Sequence, residues 1–189
     1  SSEVGVLASA GGDAVAVIGY LDQGGKGIIQ GSIDSGAFDT FILSDGMIGD
    51  SLTDTFGKSL NKSFGSLPGS TGKGAGVFAK VAGKAGIDPS GPYTGESYDA
   101  AALIVLAMQA GGSADRASIA KNVMAVANGP GKKIYAGELK KGLDLLAKGK
   151  AIDYEGATGV VFTDVGEHVG NFLEKEIKGG KFKRSEERR

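Results

Sequence analysis

The chain of 189 residues contains no cysteine and a single histidine, His168. The lack of cysteine excludes thiol catalysis, disulfide bonds and cysteine-ligated zinc, and it suits a secreted or periplasmic protein. A lone histidine in a loop-like stretch predicts a solvated side chain and not a metal ligand or a catalytic base. Because no Ser-His-Asp set can be assembled without forcing His168 to serve in it, the sequence indicates neither a metal site nor a catalytic site.

Strong net charge and long apolar runs are also lacking. The formal net charge is −1, and a nearly neutral protein argues against nucleic acid as the main partner. The longest mostly apolar run, Ala100–Ala110, is too short for a bilayer, which needs about 20 residues. No charged-then-apolar leader opens the sequence, so we expect any export signal to lie outside it. The basic end, residues 183–189, is predicted to be a solvated, disordered tail.

Proline is scarce, with 4 residues, whereas glycine is abundant, with 34. Several glycines fall in pairs at turn-like positions (24–25, 111–112 and 179–180) and follow no fixed triplet. This pattern excludes a collagen-like chain and favours many tight connections between strands and helices. A chain of this length forms one large domain or one and a half ordinary ones.

A strand–turn–helix unit is predicted over residues 13–36. Its β-branched run Val15–Ile18 is typical of a strand that is buried on both faces, and isoleucines at helical spacing follow a glycine-rich turn. A second buried strand is predicted over Phe38–Leu43, and Asp45 then opens an Asp-Gly turn. Since ligands of open α/β sheets bind beyond the carboxyl ends of the strands, we expect Tyr20 and Asp45 to lie at one sheet edge.

The middle of the chain predicts one more strand and several helices. A strand is predicted over Ser63–Leu67. The next segment, Ser70-Thr71-Gly72-Lys73-Gly74, is predicted to be a helix start and not a phosphate-binding loop, because Leu67 and Gly74 stand where such a loop needs glycine and a hydroxyl residue. Helical spacing then predicts three helices, of which the first is apolar nearly all round and therefore buried. They are Tyr98–Ala110 with Ser97 as its N-cap, a helix capped by Ser113, and one through Leu139, Leu143 and Leu146.

The last part of the chain predicts a hairpin, from strands over 159–163 and 169–177 that are joined around 164–166. The whole pattern is that of an α/β protein, with a parallel sheet, flanking helices and a C-terminal hairpin. The predicted parallel strands are fewer than a stable doubly wound sheet usually has. We therefore expect strands to be missing at the amino end of the chain.

Four segments together resemble one protein family: AVAVIGYLDQGG, FILSDGM, DPSGPYTGESYDAAALIVLAMQAGG and IDYEGATGVVFTDVGE. In order and spacing they are similar to the second half of the substrate-binding proteins of branched-chain amino-acid ABC importers, which are type I periplasmic binding proteins. The resemblance covers residues 8–182 and implies two α/β lobes that close on a ligand. It places residues 1–67 mainly in the second lobe, 68–97 in a crossover segment, and 98–182 mainly in the first lobe with the C-terminal hairpin.

The resemblance also implies three ligand-binding residues. Tyr20 matches an aromatic residue that lines the cleft, Asp45 matches the acidic residue that pairs with the ligand's ammonium, and Tyr93 matches an aromatic residue near the ligand's side chain. Glu often stands at the Asp45 position in this family, so the shorter reach leaves the exact ligand open. Taken alone, Asp45 also fits a plain turn and each tyrosine fits a half-buried core edge. Asp99 is predicted to serve the first turn of its helix.

The sequence thus predicts a non-enzymatic periplasmic protein that binds branched-chain or related amino acids and delivers them to a membrane permease, with no cofactor and no metal. One alternative is the ligand-sensing domain of a regulator or receptor on the same scaffold. A nucleotide-dependent enzyme is disfavoured because no G-x-G-x-x-G follows the first strand. With one wall of the cleft, the chain is expected to bind weakly by itself. An exposed sheet edge predicts a dimer or a swapped assembly.

Overall fold

The computed structural model describes residues 2–69 and 72–185. The chain divides into two compact units, the first formed by Ser1–Pro68 and Phe172–Arg189 and the second by Gly69–Asn171. In chain order the elements are α1 (Ser2–Ala10), β1 (Val15–Val17), α2 (Lys26–Ser35), β2 (Phe41–Leu43), α3 (Asp50–Phe56), β3 (Phe64–Pro68), α4 (Lys73–Lys84), α5 (Thr94–Gly111), α6 (Arg116–Ala127), β4 (Lys132–Tyr135), α7 (Leu139–Ala147), β5 (Ile152–Gly156), β6 (Phe172–Lys178) and β7 (Lys181–Arg184). None of the helices in the described part of the chain combines the length and the apolar character that a membrane span requires.

The first unit is built on a sheet with the strand order β1-β2-β3-β6-β7. The first three strands are parallel, whereas β6 pairs antiparallel with β3, and β7 antiparallel with β6. The predicted α/β class and the parallel strands are confirmed. The helix α2 ends as predicted at Gly36, whose φ of 68° is a left-handed conformation that glycine adopts without strain.

One face of this sheet carries the core of the first unit. Val15, Val17, Phe41 and Leu43 point into it and pack with the fully buried Ile29 of α2. Strand side chains alternate between the two faces, so the residues between them point the other way, where the helices of this unit do not pack. The prediction that the first two strands are buried on both faces is therefore wrong.

The second unit combines the helices α4–α7 with a short parallel sheet of β4 and β5. Its core places Leu106 of α5 and Val126 of α6 against Ile134, Ile152 and Tyr154 of the two strands. Neither strand was predicted from the sequence. The helix start predicted within the Ser70–Gly74 segment is confirmed, since Gly72 is the N-cap of α4, although Ser70 and Thr71 themselves lie outside the described residues.

The helix α5 differs from its prediction in two ways. It begins at Thr94 and not after Ser97, because Tyr93 and not Ser97 occupies the N-cap position. Its apolar centre is not buried all round, because Ile104 and Val105 are exposed. The core of the second unit contacts only the side of α5 that carries residues such as Leu106.

The C-terminal hairpin is present but lies further along the chain than predicted. It joins β6 and β7 through Gly179 and Gly180, which both have positive φ, as a two-residue hairpin turn requires. The strand predicted over 169–177 corresponds largely to β6, whereas the strand predicted over 159–163 is absent from the described residues, where Phe162 forms only an isolated bridge with the exposed His168. Because β7 runs to Arg184, the prediction of a disordered tail is wrong for residues 183–184, and 186–189 lie outside the described residues.

Candidate functional site

The candidate site of the first unit lies at the carboxyl ends of β1 and β2. The parallel register pairs Val17 with Leu43, so both strands end at one edge of the sheet. Tyr20 follows β1 within three residues, and Asp45 follows β2 within two. The structure therefore brings this tyrosine and this carboxylate to the same edge, where polar side chains after parallel strands can meet a ligand.

The ring of Tyr20 lies against the backbone of Gly46, the residue after Asp45. A Cβ atom at Gly46 would come within 2.7 Å of Tyr20 Cδ1 and 2.5 Å of the carbonyl oxygen of Gly19, so glycine is required for this close approach. The carbonyl oxygen of Tyr20 accepts the N–H groups of Gln23 at 3.2 Å and Gly25 at 3.1 Å. The backbone is thus fixed while the side chain of Tyr20 stays 60% exposed.

Asp45 opens a 3-10 turn, Asp45–Met47, and is half-buried. One of its carboxylate oxygens, Oδ1, accepts the N–H of Gly46 at 2.7 Å. No hydrogen bond to Oδ2 and no salt bridge to this carboxylate is formed by residues 2–69 and 72–185. The carboxylate is therefore oriented by its own turn and keeps one oxygen for an external hydrogen-bond donor.

A reciprocal pair of hydrogen bonds joins the two strand ends. The hydroxyl oxygen of Ser44 accepts the N–H of Gly19 and donates to the carbonyl oxygen of Gly19, both at 3.2 Å. This contact fixes the spacing between the segments that carry Tyr20 and Asp45. Sequence reasoning missed the role of Ser44, because a serine before Asp-Gly fits any turn.

Tyr93, the third predicted site residue, belongs to the second unit. It is 37% exposed and has a φ of 60°, and within the described residues it is the only non-glycine residue with positive φ. A left-handed tyrosine is uncommon, and such backbone conformations are enriched at functional sites. Its carbonyl oxygen accepts the N–H of Ser97 at 2.8 Å, so it closes the first turn of α5. The ligand-binding role of Tyr93, like those of Tyr20 and Asp45, stays a prediction.

A second polar cluster, in the second unit, surrounds the buried carboxylate of Asp99. This carboxylate accepts the hydroxyl of Tyr154 at 2.8 Å and the N–H groups of Ala157 and Thr158, each at 2.8 Å, with the Thr158 hydroxyl as a further donor. Burial, and next the charge of Asp99, raises the pKa of Tyr154 far above its ordinary value of 10.0. The prediction that Asp99 serves the first turn of its helix is wrong, because it holds the segment after β5 against α5.

Comparison with known proteins defines the fold further. No protein-family model matches the chain. The leucine-binding protein LivK of Thermotoga maritima superposes with a TM-score of 0.67 at 18% sequence identity, over 98% of this chain and 47% of LivK. The type 1 periplasmic binding protein of Bordetella pertussis superposes with a TM-score of 0.63 at 18% identity, over 98% of this chain and 49% of that protein. The fold of this chain corresponds to about half of the type I periplasmic binding protein fold.

This likeness confirms the fold that the resemblance of the four sequence segments implied. The chain spans about half the length of the two solved proteins. A sequence relative, the chemotactic signal transduction system substrate-binding protein BasB of Halobacterium salinarum, is 36% identical over 90 residues, which are 47% of this chain and 22% of BasB. The two solved structures are named as binding proteins, and BasB is named as a substrate-binding protein. No group of three or more potential metal ligands occurs among the residues that the structure describes.

Proposed function

We propose that the chain binds small molecules with an ammonium group, amino acids first among them, at the edge formed by Tyr20 and Asp45, and that it performs no chemistry on them. The observation that carries this proposal is the exposed phenol ring beside a carboxylate with one uncommitted oxygen. Both side chains sit on backbones that hydrogen bonds hold in place. Pre-organised groups of this kind bind a ligand at a lower entropic cost than mobile ones.

The chemistry of an ammonium ion fits these two groups. A hydrogen bond from an ammonium to a carboxylate contributes roughly 1.5–3 kcal/mol, and an aromatic face adds about 0.5–1 kcal/mol at an exposed site. The sum corresponds to a dissociation constant no tighter than about 1 mM. We therefore expect the Tyr20–Asp45 edge alone to bind amines weakly, in agreement with the weak binding predicted from the sequence.

The wider role proposed here is solute capture for an ABC importer, outside the cytoplasm. The fold shared with LivK, whose name states that it binds leucine, supports branched-chain or related amino acids as the ligands. In this proposal the first unit belongs to the second lobe of a two-lobe binding protein, Tyr93 approaches the ligand's side chain, and a membrane permease is the partner.

A second candidate function is ligand sensing. BasB is described as a substrate-binding protein of a chemotactic signal transduction system, and it shares 36% identity over 90 residues with this chain. Binding of the ligand would be the same in both functions, since the fold does not distinguish transport from sensing. The two are separated by the partner, which is a permease for transport and a chemotaxis transducer for sensing.

The binding proposal is tested by titration calorimetry of the full chain with L-leucine. Asp45→Asn keeps the shape of the side chain but removes its charge, and we expect the affinity to fall at least tenfold, the equivalent of about 1.4 kcal/mol. Asp50→Asn is the matched control, because Asp50 is an exposed carboxylate of the same unit that lies at the start of α3. Equal affinity of the chain and of Asp45→Asn would remove Asp45 from the site.

A further inference from the structure

We propose that Met47 is a positioning residue of the Tyr20–Asp45 edge, because it holds the β2 loop (residues 44–49), which carries Asp45, against the β1 loop (residues 18–25), which carries Tyr20. The side chain of Met47 is fully buried in the core of the first unit, and Met47 ends the 3-10 turn that Asp45 opens. It touches no ligand and acts through the two backbones that it holds together. The coupling of the loops requires no ligand, whereas its use in binding rests on the proposed function.

The end of the Met47 side chain lies directly on the backbone of Gly25, the N-cap of α2. A Cβ atom at Gly25 would come within 2.7 Å of Met47 Cε and still closer to its Sδ. Gly25 is itself buried, and its N–H donates to the carbonyl oxygen of Tyr20 at 3.1 Å. Met47 therefore packs against the residue that holds the carbonyl group of Tyr20, and only a glycine leaves room for this approach.

Both chain neighbours of Tyr20 also contact the β2 loop. Gly19, before it, exchanges hydrogen bonds with Ser44. Leu21, after it, places its Cδ1 atom 2.9 Å from where a Cβ atom of Gly49 would lie. The φ of Gly49 is −173°, an extended conformation that any residue adopts, so the close approach of Leu21 and not the backbone conformation favours glycine there.

The Met47 contact differs from the hydrogen bonds of Ser44 in its shielding from water. Ser44 is half-buried and its two bonds to Gly19 are 3.2 Å long, so water can replace them at a modest net cost. Met47 is 0% exposed, and displacing its side chain would open a cavity in a close-packed interior. The buried contact between Met47 and Gly25 is therefore the more costly of the two to separate.

The spacing of the two loops matters because one ammonium ion has to meet both groups. A hydrogen bond to the carboxylate of Asp45 is lost when the donor lies beyond about 3.5 Å, and the ring of Tyr20 attracts a cation only within about 6 Å of its centre. Since a charge-assisted hydrogen bond is about 2.8 Å long, a separation of the loops by about 1 Å is enough to break one of the two contacts. Met47 thus positions both groups without contacting the ligand.

The coupling is tested by NMR of the full chain without ligand. The ring of Tyr20 lies against Gly46, so a nuclear Overhauser effect should join the Tyr20 ring protons to the Hα protons of Gly46. Met47→Ala removes the two atoms that contact Gly25, and we expect this effect to disappear. Met47→Val removes the same atoms but leaves more of the core filled, so it gives the answer if the alanine variant does not fold.

Leu60→Ala is the matched control. Leu60 is as fully buried as Met47 and belongs to the same core, but it precedes β3, on the side of the amino ends of the parallel strands. Its truncation should cost a similar amount of stability and leave the Tyr20–Gly46 effect unchanged. A Tyr20–Gly46 effect that persists in both Met47 variants would overturn the proposal, whether or not the chain binds a ligand.

The role in binding is tested by titrating the same variants with 3-methylbutylamine, which is leucine without its carboxylate. Met47→Ala should weaken binding about tenfold, the loss of one charge-assisted hydrogen bond, whereas Leu60→Ala should change it little. Because Met47 acts through Asp45, Asp45→Asn should weaken binding less in the Met47→Ala chain than in the parent chain. Equal weakening by Met47→Ala and Leu60→Ala, or additive effects of Met47→Ala and Asp45→Asn, would remove Met47 from the positioning of the site. If the parent chain binds no amine, the proposed function fails, and the Tyr20–Gly46 effect alone decides whether Met47 couples the loops.

Discussion

The substitution Asp99→Asn should destabilise the second unit more than any other change of one charge there. Asp99 is 3% exposed, and its two oxygens accept hydrogen bonds from Tyr154, Ala157 and Thr158. Asparagine keeps one oxygen and puts an amide N–H₂ group where the other stood. About half of the groups that donate hydrogen bonds to Asp99 would then face this N–H₂ group, which cannot accept them. Each lost hydrogen bond to a buried charged acceptor costs roughly 1.5–3 kcal/mol. The expected loss of unfolding free energy is therefore about 3–5 kcal/mol, typical of a broken buried network.

The assay for Asp99→Asn is urea unfolding followed by circular dichroism at 222 nm, a signal dominated by helices α4–α7 of the second unit. Tyr154→Phe is the graded comparison, because it removes one donor and keeps the ring; its expected cost is about 1–2 kcal/mol. Asp115→Asn, an exposed change in the same unit, should move the midpoint little. A loss of unfolding free energy for Asp99→Asn no larger than that for Tyr154→Phe would show that the Asp99 carboxylate does not stabilise the second unit through this network.

Three further changes test individual contacts. Gly46→Ala would push a Cβ to 2.5 Å from the backbone oxygen of Gly19, so we expect a loss of about 1–3 kcal/mol in thermal or urea unfolding; a neutral result would show that the two strand ends can separate. Ser63→Ala leaves the buried N–H of Phe41 without its 3.0 Å acceptor and should cost about 1–3 kcal/mol, whereas Ser66→Ala on the uncovered face should cost little. The hydrogen bond from Lys141, and next that from the N–H of Tyr135, holds the pKa of Glu138 below its ordinary 4.5. The stability that this shift contributes is present above pH 4.5 and is lost as the pH falls through the lowered pKa. The urea midpoint of Glu138→Gln should therefore fall less on acidification than that of the parent chain, and identical acid profiles would contradict the assignment.

Short sequence patterns correctly predicted the strands and helix ends that depend mainly on neighbouring residues. The Val15–Ile18 run and the Asp-Gly after Leu43 identified two strands and their common edge, because parallel strands end together. Gly36 marked the end of α2, since a left-handed C-cap favours glycine.

The strands and burial that depend on distant partners were not predictable in this way. The strand β4 begins with Lys132 and Lys133, which read as a polar loop until Ile134 is seen to pack on Leu106 across the second unit. The uncovered sheet face was missed because a β-branched run is equally compatible with one or two buried faces.

The common sheet edge of Tyr20 and Asp45 was predictable from the sequence, but the contacts that hold their backbones in place were not. Tyr20 and Asp45 follow strand ends, so their common edge could be derived from the sequence. The Ser44–Gly19 hydrogen bonds and the stacking of Tyr20 on Gly46 join residues about 25 positions apart, and a single sequence carries no signal for either.

The most direct test of ammonium binding at the Tyr20–Asp45 edge uses the amide of Gly46 as a reporter, because this N–H donates to the carboxylate of Asp45 at 2.7 Å. We would record its NMR shift during titration of the full chain with 3-methylbutylamine, which keeps leucine's ammonium and side chain, and with 4-methylpentanoate, which keeps the side chain and a carboxylate. If Asp45 binds an ammonium group, the Gly46 amide should show a saturable shift with the amine and none with the acid. Equal shifts with both ligands, or a shift with the acid alone, would contradict it.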